Sequence, residues 1–324
     1  MVERHGGLEA EDPAGLGFVC VGPGVWADPA FQTLLVRTGL GSLEAILGTR
    51  QGVCVRALAD RENWRLELPD GEGGIRRVHL KKHRTRTWQR WLCWRLAMSP
   101  SPTPALREAA NAAQLARNGI PVMRIVAYGW ATRPGGWAES FVLSEHLEGY
   151  TELHQWVSRQ VAVRSAGQRS PQVAGLIRAV AAAARRFHRA GYNHRDFYAG
   201  HWFVRPIETG GFDIRLIDLQ RVQYRRRFRR RWIVKDLAQL GWSLPAEWVG
   251  CTQRMAFMRQ YFGVAKLRPC HKRLIREVLA KQQLMERKLG PVAYPGLADH
   301  RPKPSETILS PTPSVGTRAE QAKD

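Results

Sequence analysis

The chain has 324 residues, with hydrophobic residues at 44%, charged residues at 24%, 30 Gly and 19 Pro. Such a composition excludes wholesale disorder, collagen and coiled coil, and the length suits two lobes at about 150 residues each. Lys and Arg number 50 against 28 Asp and Glu, a formal charge of +22, so the surface will gather polyanions, whether nucleic acid, anionic membrane or a phosphorylated glycan.

Residues 1–24 are Gly-rich and weakly patterned, and a loose arm is expected there. The opening MVERHGGLEAEDPAG lacks the basic and then apolar pattern of a secretory signal. From 25 to 147 short β-like runs dominate: 52–58, 64–70, 75–83, 123–130 and 140–147, with PDGEGG at 69–74 as a hairpin turn. Between the expected strands, Gly48-Thr49-Arg50-Gln51-Gly52 reads as a shortened Gly-rich phosphate loop in which Gly48 and Gly52 admit the phosphates.

In IRRVHLKKH, alternation puts Val78 and Leu80 on a core face and His79 and Lys81 on the other, toward a cleft. Lys81 is therefore the expected nucleotide lysine, with Lys82 on the core side or at a frayed end. The competing reading makes both lysines guards of an edge strand. A helix is expected over 103–118, stopped by Gly119 and Pro121. Glu108, the one acidic residue between Thr103 and Gly119, can pair Lys81; alternatively it is an ordinary acid near a helix N-terminus.

From 148 to 290 the pattern becomes helical, with helices expected over 173–191, 233–242, 250–262 and 270–288. The final stretch, 291–324, is Pro-rich with few apolar clusters, and a disordered tail is expected. No stretch is apolar enough to span a membrane, so any membrane association is expected to be peripheral. The five cysteines are widely spaced and odd in number, which suits reduced thiols in the cytosol.

Chemistry concentrates just after the helix closed by Gly191. There His194-Arg195-Asp196 precedes a short apolar run, and Asp218 follows 22 residues after Asp196. In the phosphotransferase layout the first Asp takes the proton of the acceptor hydroxyl, and the second holds the cation that bridges the nucleotide phosphates. A hydroxyl with a pKa far above neutrality needs a positioned carboxylate, and a triphosphate needs cations. The order strand Lys, helix Glu, His-Arg-Asp, strand-ending Asp is what raises a bare tripeptide above chance.

YNHRDFYAGHWFV, LIDLQRVQYRRRFRRRWIVKDLAQLGWS, LKKHR and NGIPVMRIVAYG together resemble the lipopolysaccharide core kinase family, the WaaP, InaA and Kdo kinase group, over about residues 45–265. The resemblance implies an α+β, two-lobed, protein-kinase-like fold, with a β-rich lobe over 25–147 and a helical lobe over 148–290. It implies transfer of the ATP γ-phosphate to a heptose or Kdo hydroxyl of inner-core lipopolysaccharide, with ATP and Mg²⁺. It also implies work at the cytoplasmic face of the inner membrane on a glycolipid acceptor. Residue by residue, it makes Asp196 the base, Asp218 the metal ligand, Lys81 and Glu108 the nucleotide pair, and Glu145 and Leu147 the hinge that reads adenine. His201 stands where protein kinases place a metal-binding Asn; imidazole is a poor ligand for hard Mg²⁺, so it is either a ligand or a positioning group. Asp236 resembles the helix aspartate that braces the catalytic loop.

Seven arginines, Arg221, Arg225, Arg226, Arg227, Arg229, Arg230 and Arg231, crowd into 11 residues after Asp218. They suit an anionic acceptor, with Arg225, Arg226 and Arg227 at the centre of the segment. A second basic cluster around Lys81–Arg95 interleaves with Trp88, Trp91 and Trp94, spaced by three as on one helical face. An amphipathic helix at an anionic membrane surface and plain packing of three tryptophans are equally open readings. Two other functions stay open: a kinase of a small-molecule or protein acceptor, and a basic nucleic-acid-binding protein. No RRM, KH or zinc-finger pattern is present, so nucleic acid is not the expected partner.

Overall fold

A seven-stranded antiparallel sheet carries the first part of the chain. The structure is a computed structural model that describes residues 15–85, 91, 92, 96, 103–162, 171–208, 210–244 and 247–290. In chain order the elements are β1 (Val19–Gly22), β2 (Val25–Ala27), α1 (Gln32–Arg37), α2 (Leu43–Gly48), β3 (Val53–Leu58), β4 (Arg61–Pro69), β5 (Ile75–Thr85), α3 (Pro104–Arg117), β6 (Ile125–Arg133) and β7 (Trp137–Glu145). There follow β8 (Thr151–Glu152), α4 (Leu153–Ala162), α5 (Pro171–Arg189), β9 (Tyr192–Asn193), β10 (Trp202–Pro206), β11 (Phe212–Leu216), β12 (Gln223–Tyr224), α6 (Arg229–Trp242), α7 (Cys251–Phe262) and α8 (Pro269–Leu289). All of these elements belong to one unit that ends at Gly290, and their α+β character agrees with the sequence.

Strand β5 sits between β4 and β7 and pairs with both along its length, so its two faces are committed to different neighbours. Val78 and Leu80 are buried in a cluster with Leu35, Leu43 and Ile46 of α1 and α2. The opposite face, with His79, Lys81 and His83, turns toward α3, because side chains alternate along a strand. Helix α3 starts where Thr103 accepts a hydrogen bond from the Leu106 amide, with Pro104 in its first turn, and ends before Gly119 at φ +65°. Its buried face is mostly Ala105, Ala109, Ala112 and Leu115. Those small residues let the helix approach closely, which places Glu108 at the sheet.

Helix α5 buries Leu176, Val180, Ala184 and Phe187, and it hands over at Gly191, φ +99°, to the segment that carries His194-Arg195-Asp196. A second hydrophobic cluster joins these residues to Trp202, Leu216, Leu237 and Met258, and reaches Tyr128 and Val142 of the sheet.

Three local expectations change. The loose arm over 1–24 contains β1, because Cys20 and Val21 continue the sheet beyond β2. Helices α1 and α2 were not expected: they are one to two turns long and lie within a Gly-interrupted stretch, too short to display a helical period. Strand β11 ends at Leu216, and Asp218 follows it in a left-handed conformation, φ 55°. The tail 291–324, residues 163–170, and Arg86, Trp88, Arg90, Trp94 and Arg95 lie outside the described residues; Trp91 is exposed.

Candidate active site

Three elements meet at one ammonium. Lys81 Nζ donates to Glu108 Oε1 at 2.7 Å and lies 3.5 Å from Asp218 Oδ1, which joins β5, α3 and the segment after β11. Burial works against the charge on Lys81, but Glu108 and Asp218 outweigh it and hold the ammonium above the usual lysine range. Burial would likewise raise Asp218; Lys81 and His201 more than offset it and keep that carboxyl below its usual value. Asn111, one turn after Glu108 on the same helix, donates from Nδ2 to the carbonyls of Leu219 at 2.7 Å and Val222 at 3.2 Å. Helix α3 thus fixes both the lysine and the backbone that follows Asp218.

The catalytic-loop candidate is held from the other side by α6. Asp236, Gln239 and Ser243 are spaced i, i+3 and i+7, so they share one helical face, and all three are buried. Asp236 accepts from the amides of His194 at 2.7 Å and Arg195 at 3.0 Å. Gln239 accepts from the Phe197 amide and donates to the Arg195 carbonyl, and Ser243 Oγ accepts from the Ala199 amide. Lys235 Nζ adds a second donor to the Arg195 carbonyl at 2.7 Å. A loop that runs through φ +73° at Arg195 needs such bracing, because a non-glycine residue there is strained.

Within this frame Asp196 Oδ1 accepts from Arg221 Nη1 at 2.9 Å. His201 Nδ1 lies 2.7 Å from the Asp196 carbonyl, and its Nε2 lies 3.7 Å from Asp218 Oδ2. Only an N–H can be given to a carbonyl, so Nδ1 donates to Asp196 and Nε2 is the ring nitrogen that faces Asp218. His194, fully buried, sets its Nε2 against the Ile217 carbonyl at 3.1 Å, one residue before Asp218. The two aspartates are therefore tied to one another through both histidines.

Among the described residues no group of three or more His, Cys, Asp or Glu could hold a metal. The Asp218 carboxylate nevertheless suits Mg²⁺, which is held through one or two carboxylates and fills the rest of its shell with phosphate and water; His201 stands beside that carboxylate at 3.7 Å.

Other expected site residues fall elsewhere. Gly48 closes α2, and Gly52 packs at the start of β3, where a Cβ would meet the Arg65 carbonyl at 2.2 Å. Lys82, on the opposite face of β5 from Lys81, donates to the carbonyls of Leu47 at 2.9 Å and Thr49 at 2.7 Å. The 48–52 segment is thus pinned to the face away from Lys81 and is not a phosphate loop. The hairpin that abuts the Lys81 end of β5 is β3–β4, because Arg61 pairs with His83, and its turn carries no glycine.

At the hinge candidate, the Glu145 amide donates to the Arg124 carbonyl and the His146 amide to the Arg77 carbonyl, while the Leu147 carbonyl closes a turn with Tyr150. Arg226 and Arg227 are exposed, and Arg225 turns back onto Trp232, 4.4 Å from the ring centre. Arg221 is the guanidinium in contact with Asp196. Sequence reading missed this pairing, Asn111, and the Gln239 and Ser243 braces; the polar i, i+3, i+7 face in KDLAQLGWS was the available signal.

The family model described as lipopolysaccharide kinase (Kdo/WaaP) family matches residues 48–261. The chain belongs to the lipopolysaccharide kinase (Kdo/WaaP) family. It is similar to lipopolysaccharide core heptose(I) kinase WaaP of Pseudomonas aeruginosa, 33% identical over 65% of this chain and 77% of the relative. The WaaP of Escherichia coli K12 is 31% identical over 66% of this chain and 78% of its own length. A solved structure of WaaP in complex with acyl carrier protein covers 81% of this chain and 95% of that one, at 27% identity and a TM-score of 0.58. The chain is thus a lipopolysaccharide core sugar kinase with a kinase-like α+β fold, which uses ATP as its phosphoryl donor. Among the described residues no helix is long and apolar enough to cross a membrane.

Burial lowers four imidazoles, His79, His83, His154 and His194, from 6.5 to about 4. The unfolded chain therefore takes up these protons near pH 6.5 and the folded chain only near 4, so stability is complete above that window and falls as pH drops through it. Urea midpoints measured between about pH 7 and 4 should decline steadily. Midpoints that hold constant down to pH 4 would show that these histidines charge freely in the fold.

Proposed function

We propose that the chain transfers the γ-phosphate of ATP, with Mg²⁺, to a heptose hydroxyl of the lipopolysaccharide inner core. The observation that carries this reading is the convergence of Lys81, Glu108 and Asp218 beside the braced Asp196. The named heptose(I) kinase relatives support the choice of acceptor. Glu108 orients Lys81 toward the nucleotide phosphates, and Glu145 and Leu147 read adenine through the backbone. Arg221 anchors Asp196 Oδ1 while Oδ2 takes the proton of the attacking hydroxyl; the new bond joins that oxygen to the γ-phosphorus as the bond to the bridging oxygen breaks. Lys81 and Arg221 stand ready to balance the developing charge. Mg²⁺, held by Asp218 with His201 beside it, supplies Lewis-acid neutralisation of the phosphates when bound.

The division of labour follows the two-lobe layout, with residues 25–147 as the nucleotide-side lobe and 148–290 as the acceptor-side lobe. Arg225, Arg226 and Arg227 meet the acceptor's anionic groups, and the net charge of +22 holds the enzyme peripherally at the cytoplasmic face of the inner membrane.

An acyl carrier protein is a further partner in this reading. Its support is the solved relative and an apolar cavity of about 440 Å³ lined by Trp156, Leu176, Val180, Leu240, Met258 and Val278, of a character that suits a fatty acyl chain.

The Asp196→Asn variant should lose turnover by a factor of about 10²–10⁴ while ATP affinity stays nearly intact, a split measured by steady-state kinetics and nucleotide titration. Unchanged turnover removes Asp196 from the chemistry. Joint replacement of Arg225, Arg226 and Arg227 by Ala should raise KM for the glycolipid, and the difference from the parent enzyme should shrink at high salt; a change confined to the KM for ATP defeats the acceptor assignment. Carrier protein loaded with a fatty acyl chain should bind at least tenfold tighter than the unloaded form in a calorimetric titration, and equal affinities would dismiss the cavity as its site.

A further inference from the structure

On the far side of the catalytic loop from Lys81, α6 and α8 enclose a pocket of about 650 Å³ lined by Arg195, Arg231, Trp232, Lys235, Lys281 and Leu284, with Glu277 at its wall. The Trp232 ring forms its centre. Around that ring stand Arg225 at 4.4 Å, Arg231 at 5.4 Å, Arg195 at 5.6 Å and Lys235 at 5.9 Å. The single acid of the wall is already committed, since Arg230 holds Glu277 bidentately with both bonds at 2.8 Å. Among the described residues Arg195, Arg231, Lys235 and Lys281 have no carboxylate within ion-pair distance, and the Nε–H groups of Arg195 and Arg225 lack an acceptor.

Cations crowded round one ring without acids repel one another, and an anion that joins them relieves that repulsion. The Lys235 ammonium registers the same environment: burial lowers its pKa, and the Arg221 and Arg195 guanidiniums add to the effect against the opposing Asp236 and Asp196.

We propose that this pocket is a binding site for a phosphate monoester, gripped by Arg231, Lys235, Lys281 and Arg195 over the Trp232 ring. A monoester carries close to two charges and three acceptor oxygens, which several converging Arg and Lys donors satisfy better than one carboxylate could. The pocket is much larger than a lone phosphate, so the phosphate arrives on a body such as a sugar. The site is also coupled to the chemistry: Lys235 donates to the Arg195 carbonyl, and Arg195 precedes Asp196. An anion seated here therefore rests on the same residues that hold the catalytic loop. On the kinase reading, the natural source is a phosphate already present on the glycolipid, remote from the hydroxyl that reacts; the pocket's phosphate chemistry does not depend on that reading.

The test is a calorimetric titration of the full chain, its nucleotide cleft filled with a non-hydrolysable ATP analogue and Mg²⁺. The probes are glucosamine 1-phosphate, glucosamine and inorganic phosphate. Glucosamine 1-phosphate should bind and glucosamine should not. Lys281→Glu and Arg231→Glu should each weaken that binding at least tenfold, while Lys281→Glu leaves the affinity for the ATP analogue unchanged. Glucosamine 1-phosphate binding tenfold tighter than inorganic phosphate would assign the site to a sugar-borne phosphate; equal affinities would assign it to free phosphate, the same chemistry from another source. Absence of binding by both phosphate probes, or binding that both charge reversals leave intact, overturns the proposal. No readout requires turnover, so an enzyme that fails to phosphorylate heptose but still binds the phosphate probes refutes the acceptor reading and not the pocket.

Discussion

The buried carboxylate of Asp236 is the interaction on which the functional half of this structure depends. It accepts two backbone amides of the catalytic loop at 2.7 and 3.0 Å and meets His188 Nε2 at 3.4 Å, with Tyr261 on the other nitrogen of that ring. A buried charge loses several kcal/mol of hydration. Charge-assisted hydrogen bonds of about 1.5–3 kcal/mol each offset that loss only while the loop stays in place. The aspartate and the loop geometry are therefore mutually dependent, and the left-handed Arg195 is tolerated because Gln239 and Lys235 hold its carbonyl as well.

The same logic governs the nucleotide side. Glu108 has no exposed surface, and its charge is supportable because Lys81 reaches it at 2.7 Å. Lys81 in turn is shared with Asp218, so a strand, a helix and a loop from distant parts of the chain converge on one ion cluster. Asn111 ties the backbone after Asp218 to the helix that carries Glu108. Any shift of α3 would move the lysine partner and the Asp218 segment together.

Acidic and basic groups are distributed unequally between the two sides of the catalytic loop. Toward the sheet, the Lys81 ammonium is paired with the Glu108 and Asp218 carboxylates. Toward α8, arginines and lysines gather around Trp232 with Glu277 already paired to Arg230. Balanced charge on one side and unbalanced positive charge on the other give the two faces of the loop different electrostatic character.

By itself the sequence determined the α+β class, the long strands β3 to β7, the longer helices, and the ionisable residues proposed for the site. Those signals are local: period-two alternation in β5 put Lys81 and Lys82 on opposite faces, and the order of Lys81, Glu108, Asp196 and Asp218 along the chain suggested the chemistry. Only the tertiary structure decided which groups meet. Glycines at 48 and 52 looked like a phosphate loop because composition carries no information about the face of a sheet, and Lys82 in fact pins that segment away from Lys81. Likewise a run of seven arginines could not reveal that Arg221 turns to Asp196 while Arg225 folds back on Trp232. Pairing between residues far apart in sequence is set by packing, and packing exists only once the chain has folded.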